Sequence, residues 1–230
     1  MFHSLHLYQQ LTLLALHDSS GTFEGHYFEY GLGGAMLCDL LFAGHVSVSP
    51  DDSKLVSVKL NESYGDELLD ELKKQIGDSE TQYSLQDWVV TAAGLSDLAH
   101  RVADGLCDLG VLQKDSQKIL WLFTRRLYPE LDSSYEDRIR AEMGAAMFSE
   151  KKLPDVRLAA LISLANQTGV LHSNFAKVEI EQHQKRIDAI SNGEILPVDA
   201  TKAAIEAVQS AVMISTIVAT TTAATIAATR

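Results

Sequence analysis

The sequence predicts a single, mainly α-helical domain over residues 1–230 with small β-hairpin elements, one of them winged-helix-like. Three observations carry this. Apolar residues recur at helical spacing through most of the chain. Strand-like alternation is confined to two short stretches, near Val46–Leu60 and Val111–Phe123. Glycines and Asp/Ser clusters stand where each periodic stretch stops or starts.

The chain is organised around Phe28–Val48. Gly31, Gly33, Gly34 and Ala35 lead into Met36, Leu37, Leu40, Leu41 and Phe42, a helix with a small-residue start that Gly44 stops. Small residues there let another backbone approach closely. A dinucleotide fingerprint starting at Gly31 would need glycine at Met36 and a preceding strand, so packing is the better reading. Val46 and Val48 then alternate with Ser47, and Leu55–Leu60 forms a second strand across the Pro50–Asp51–Asp52 turn. Gly65–Ile76 reads as an amphipathic helix ended by Gly77. Ser84 with Asp87 caps a helix bearing Trp88, Val89 and Val90.

The next helix is expected over Leu95–Leu109, ended by Gly110. A hairpin should follow, with strands Val111–Gln113 and Ile119–Phe123 joined through Lys114–Gln117. Asp132, Ser133 and Ser134 start a helix over Tyr135–Phe148, and Pro154 is placed in the first turn of the apolar helix at Arg157–Asn166. Phe175–Ile190 is a more polar helix, and Pro197 opens the last one. Its end, residues 207–230, is rich in Ala and Thr, and Ala207–Thr229 carries no charge. That is long enough to span a bilayer, but its serines and threonines make insertion costly, so a packed or frayed helix is expected.

A formal charge of −12 opposes nucleic acid, and also any attachment to anionic lipid through overall charge. Lys114, Lys118, Arg125 and Arg126 around Trp121 form a local basic, aromatic patch. The helix before it, however, sets Asp97, Asp104 and Asp108 against His100 and Arg101, which phosphates would repel. Cys38 and Cys107, the two cysteines, lie in apolar helical patterns and read as free thiols. MFHSLHLYQQ lacks the features of a secretory signal. No GxSxG, HExxH, P-loop or CxxC occurs, and His3 and His6 have no partner at ligand spacing. No catalytic residue, metal or cofactor is therefore assigned.

Four stretches, in order, carry a resemblance: LTLLAL from Leu11, GLGGAMLCDLLFAGHVSV from Gly31, DGLCDLGVL from Asp104 and RLAALISLANQTGVLHSNF from Arg157. Together they resemble the Golgi phosphoprotein 3 family, in a bacterial-type form. The resemblance implies a non-enzymatic, cytoplasmic protein, membrane-peripheral, and at the Golgi only in a eukaryote. Eukaryotic members bind phosphatidylinositol 4-phosphate and link glycosyltransferases to coatomer. It also implies a homo-oligomer in contact through the hairpin, which here would use Trp121, Lys118, Arg125 and Arg126 for oligomer or membrane contact. In lipid-binding members a tryptophan and three cations hold the head group. This sequence has Glu24 at the tryptophan position, and Gly33, Ser96 and Ala99 at the cation positions. His26, His100 and Arg101 remain nearby as anion-binding candidates. The first fifty residues hold no Lys or Arg, so no basic coatomer-binding arm is expected. A soluble oligomeric interaction scaffold is the competing reading, and a winged-helix DNA binder a remote one.

Overall fold

The computed structural model describes residues 5–16, 22–23, 27–119, 123–149 and 153–195. Among these, α1 (Leu7–Ala15), α2 (Phe28–Phe42) and α7 (Val156–Gln167) pack together at the centre. Helix α2 is apolar on nearly every side, and Leu32, Ala35, Met36, Leu37, Leu40 and Leu41 are fully buried. A helix without a polar face has to be central, and α2 is enclosed by α1, α7, α3 (Glu67–Asp78) and α4 (Leu85–Ala93). Its glycines lie inside the helix rather than in a loop ahead of it. Gly31 donates to the Tyr27 carbonyl at 3.2 Å, so its N–H is not free to cradle a phosphate. A Cβ on Gly31 would stand 2.5 Å from the Thr168 methyl, which makes the glycine run a packing device.

Helix α1 had no element of its own in the sequence reading. It spans only nine residues and buries polar Gln9 and Thr12 along with Leu7, Tyr8, Leu11, Leu13, Leu14 and Ala15, so no 3.6-residue contrast marks it. Its first turn is closed by the His6 N–H donating to Gln9 Oε1 at 2.9 Å.

Strands β1 (Val46–Val48) and β2 (Val56–Val58) pair antiparallel, with Ser47 opposite Ser57, as alternation predicts. Gly44 has φ +72°, the left-handed turn that ends α2. Helix α3 is capped by Asp66, whose side chain accepts from the Leu69 N–H. It runs through Gly77 to Asp78, so Gly77 is not the stop; the exit follows at Ser79. Helix α4 starts at the predicted cap, where Ser84 and Asp87 exchange hydrogen bonds.

Helix α5 (Leu98–Asp108) begins three residues later than expected because Asp97 is left-handed, with φ 57°. The hairpin also differs. Its strands are β3 (Asp115–Ile119) and β4 (Phe123–Leu127), so Asp115–Gln117 lies in a strand and not in the turn. Ile119 and Phe123 form the last pair of the ladder. The expected turn at Lys114–Gln117 followed its polar composition; instead Lys114, Asp115 and Ser116 are exposed, and Ser116 pairs with Arg126 across the ladder. Val111–Gln113 forms the base, with Leu112 bridged to Glu130.

Helix α6 (Ser134–Met147), α7, the short α8 (Leu171–Asn174) and α9 (Lys177–Ser191) complete the described chain. Asp155 caps α7 by accepting from the Leu158 N–H, so Pro154 lies just before the cap and not in the first turn. The expected Phe175–Ile190 helix is α9, which starts two residues later, at Lys177, since Phe175 is extended; the short α8 precedes it. Cys38 and Cys107 are free thiols. No helix among the described residues is long and apolar enough to cross a membrane; the 207–230 segment lies outside them.

Candidate functional site

Of the candidates from sequence, His100 and Arg101 lie on α5 and Arg126 on the hairpin beside it. Leu98, Val102, Ala103 and Leu106 bury the inner side of α5, leaving His100, Arg101 and Asp104 on its flanks. The Val111 carbonyl accepts from Leu131 and Asp132, and the Gln113 N–H donates to Pro129, which closes the base of the hairpin; the Val111 and Leu112 N–H groups donate to the Leu106 carbonyl and hold it against the end of α5. This brings Arg126 of β4 to Asp97. Its two terminal nitrogens donate to the two Asp97 oxygens at 2.6 Å each, a complete fork. That hydrogen bonding, despite some desolvation, holds the Asp97 carboxyl below the usual range. Lys114 donates to Asp104 at 2.8 Å.

Arg101 turns the other way, toward α3. Its Nη2 donates to Glu71 at 2.6 Å and Glu67 at 2.9 Å, which stabilises the guanidinium further. His100 lies half-buried between Phe23 and Tyr128, with Nδ1 3.1 Å from the Tyr128 hydroxyl. Burial first, and then Arg126, push its pKa down, so the ring is neutral at pH 7. Thus Arg101, Lys114 and Arg126 each already face a carboxylate, and His100 adds no charge. His26, Glu24 and Trp121 lie outside the described residues, while Lys118 and Arg125 are placed by their backbone pairing on β3 and β4.

Two other features are a tight helix contact and an acid-lined cleft. At Gly33 a Cβ would stand 2.6 Å from the Val89 carbonyl oxygen and 3.1 Å from the Ala92 Cβ, because α2 and α4 meet backbone to backbone there. A cleft of about 240 Å³ between α1, α3 and α5 is lined by Asp66, Glu67, Asp104 and Asp108 as well as Arg101. On its wall the Tyr8 hydroxyl donates to Asp66 at 2.6 Å; burial, then Asp66, push the phenol pKa far up.

A family model described as Golgi phosphoprotein 3 (GPP34) matches residues 7–213. The chain belongs to this family. In this GPP34 chain the match begins with the central helix α1 and takes in α5, the hairpin and α7. Among the described residues, no group of three or more His, Cys, Asp and Glu is placed to hold a metal ion.

The carboxylates that occupy the cations were missed by sequence reasoning. Glu67 and Glu71 lie on the polar side of the amphipathic helix expected over Gly65–Ile76, and Asp97 falls inside the helix expected over Leu95–Leu109. Glu67 and Glu71 stand four apart, hence on one side of α3, which is the available signal for a shared cation.

Proposed function

We propose that this GPP34-family protein is a non-enzymatic peripheral adaptor that lacks head-group-selective phosphoinositide binding. The observation that supports this most is at Gly33. The position where the lipid-binding pattern has an arginine has no space even for a methyl group. The pairing of Arg101, Lys114 and Arg126 with carboxylates points the same way, since a phosphate must displace an internal anion to reach any of them. Charge-assisted contacts contribute roughly 1.5–3 kcal/mol each, so a site short of three cations loses most of its affinity.

Co-sedimentation of the wild-type protein with vesicles tests this reading. The vesicles are neutral, rich in phosphatidylserine, or supplemented with phosphatidylinositol 4-phosphate, each at two salt concentrations. Weak binding with no preference for the 4-phosphate lipid is expected, and submicromolar selective binding overturns the reading.

The adaptor works as a homo-oligomer through the hairpin end, where Ile119, Leu120, Trp121, Leu122 and Phe123 make a continuous apolar run. Light scattering should return more than a monomer mass at roughly tens of micromolar protein, falling toward monomer on Trp121→Asp. A monomer mass for the wild type under those conditions excludes self-association of this kind.

A further inference from the structure

We propose that the cleft between α1, α3 and α5 binds a small protonated amine that also carries hydroxyl groups, an amino alcohol or amino sugar. Three observations converge there. The first is Gln9, which lines the cleft and is only 7% exposed. Its Oε1 is held by the His6 N–H at 2.9 Å, which fixes the amide plane and turns Nε2 the other way. That nitrogen has no hydrogen-bond partner among the described residues, and it is not sealed from solvent, so it opens into the cleft. A buried amide aimed into a cleft needs an acceptor from outside the chain. The second is Gly105, within α5 and also on the cleft wall. A Cβ there would meet nothing within 4 Å beyond its own helix, and its φ is not positive. Glycine weakens a helix, and here neither a close approach nor a left-handed turn requires it. What it keeps is space.

The third is charge. Asp66, Glu67, Asp104 and Asp108 line the cleft with a single guanidinium, Arg101. Asp104 and Asp108 stand near the C-terminal end of α5, where the helix dipole disfavours carboxylates. Lys114 answers Asp104, but Asp108 has no ion pair among the described residues. The excess of carboxylates excludes an anion and selects a cation. Among the described residues they are not grouped to hold a metal ion, which leaves an organic amine. A volume of about 240 Å³ falls short of the roughly 300 Å³ at which drug-sized pockets begin, so the ligand is about one small ring. Leu68 and Val102 give its C–H groups an apolar floor. The ammonium donates to Asp108 and Glu67 at the rim. Its hydroxyls accept from Gln9 and donate to the Tyr8 oxygen, whose own proton is committed to Asp66.

Isothermal titration calorimetry of the full chain tests this, at about pH 6, where such amines are protonated. The probe is glucosamine, compared with glucose, which lacks the charge, and with cyclohexylamine, which lacks the hydroxyls. Glucosamine should bind about tenfold more tightly than either, since charge-assisted hydrogen bonds are the strong ones and Gln9 needs an oxygen. Gly105→Leu fills the cleft wall with a good helix former and should weaken glucosamine about tenfold or more. Asp108→Asn should weaken it about threefold, the size of an exposed charge contact. Glu142→Gln, on α6, changes net charge equally and should leave binding unaltered. Equal affinity for the three probes overturns the proposal, as does undiminished binding to Gly105→Leu or an equal loss in Glu142→Gln. Should Gly105→Leu melt below wild type, Asp108→Asn decides in its place, and unchanged affinity in that variant overturns the proposal.

Discussion

Gly33→Arg is expected to unfold the protein, not to equip it with a phosphate ligand. The first atom added already collides, since a Cβ falls 2.6 Å from the Val89 carbonyl oxygen and 3.1 Å from the Ala93 nitrogen. Both are backbone atoms of α4, so no rotamer change relieves the contact; the helices themselves must separate. Gly33→Ala isolates this effect. Alanine gains about 1 kcal/mol of helix propensity over glycine, but overpacking a well-filled contact costs about 1–3 kcal/mol and can exceed that. Because the contacts are with backbone, the cost belongs at the upper end, about 3 kcal/mol, and a net loss of about 2 kcal/mol is expected for alanine, or about 4–8 °C in melting temperature for a chain of this size. Arginine, which must also find a path for its charge out of the α2–α4 contact, should leave no cooperative transition near that of wild type. Thermal melts of both variants check this. An arginine variant that melts like wild type and binds phosphatidylinositol 4-phosphate would mean that α4 yields freely at this point.

The collision at Gly33 also shows why the element map was easier to read than the site. Helix α2 was legible because its signal is local: small residues, then an unbroken apolar run, then a left-handed glycine at residue 44. The Ser84–Asp87 cap was legible for the same reason. The hairpin register was not, because polar Asp115–Gln117 resembles turn chemistry, and only its pairing with Arg125–Leu127 makes it a strand. At the site, sequence spacing brought His100, Arg101 and the hairpin cations into one region. It could not say that Arg101 would meet Glu67 and Glu71, 34 and 30 residues away, or that Arg126 would close on Asp97. Such pairings depend on how α3 and β4 are laid against α5, which only tertiary packing decides.

Asp39 pairs over a still longer range, and it leads to the second large effect. It is the one charged residue between Glu29 and the end of α2, and its side chain is fully buried. One oxygen accepts from the Leu7 N–H at 2.8 Å, an N–H at the first turn of α1 that has no partner within its own helix. The other accepts from Arg157 of α7 at 2.6 Å, and the guanidinium lies 5.2 Å over the Phe42 ring. One carboxylate therefore ties together the three central helices. Asp39→Ala removes the acceptor, orphans the Leu7 N–H and leaves Arg157 unpaired; breaking a buried pair in this way costs about 3 kcal/mol, or about 6–12 °C. Asp39→Asn keeps an acceptor for Leu7, and its cost should be nearer 1 kcal/mol. The two variants also separate packing from charge. Burial raises the Asp39 pKa above its ordinary value, against the lowering effects of Arg157 and His6. The folded protein therefore holds this proton more tightly than the unfolded chain. Stability drawn from Asp39 is full below the ordinary carboxylate value of about 4 and falls as pH rises through the raised folded value, after which it is constant. The advantage of wild type over Asp39→Asn should be greatest near that lower limit and shrink as pH rises, with denaturant unfolding at a series of pH values as the measurement. Parallel stability curves for the two proteins across that range would mean that Arg157 fully offsets the burial of the charge.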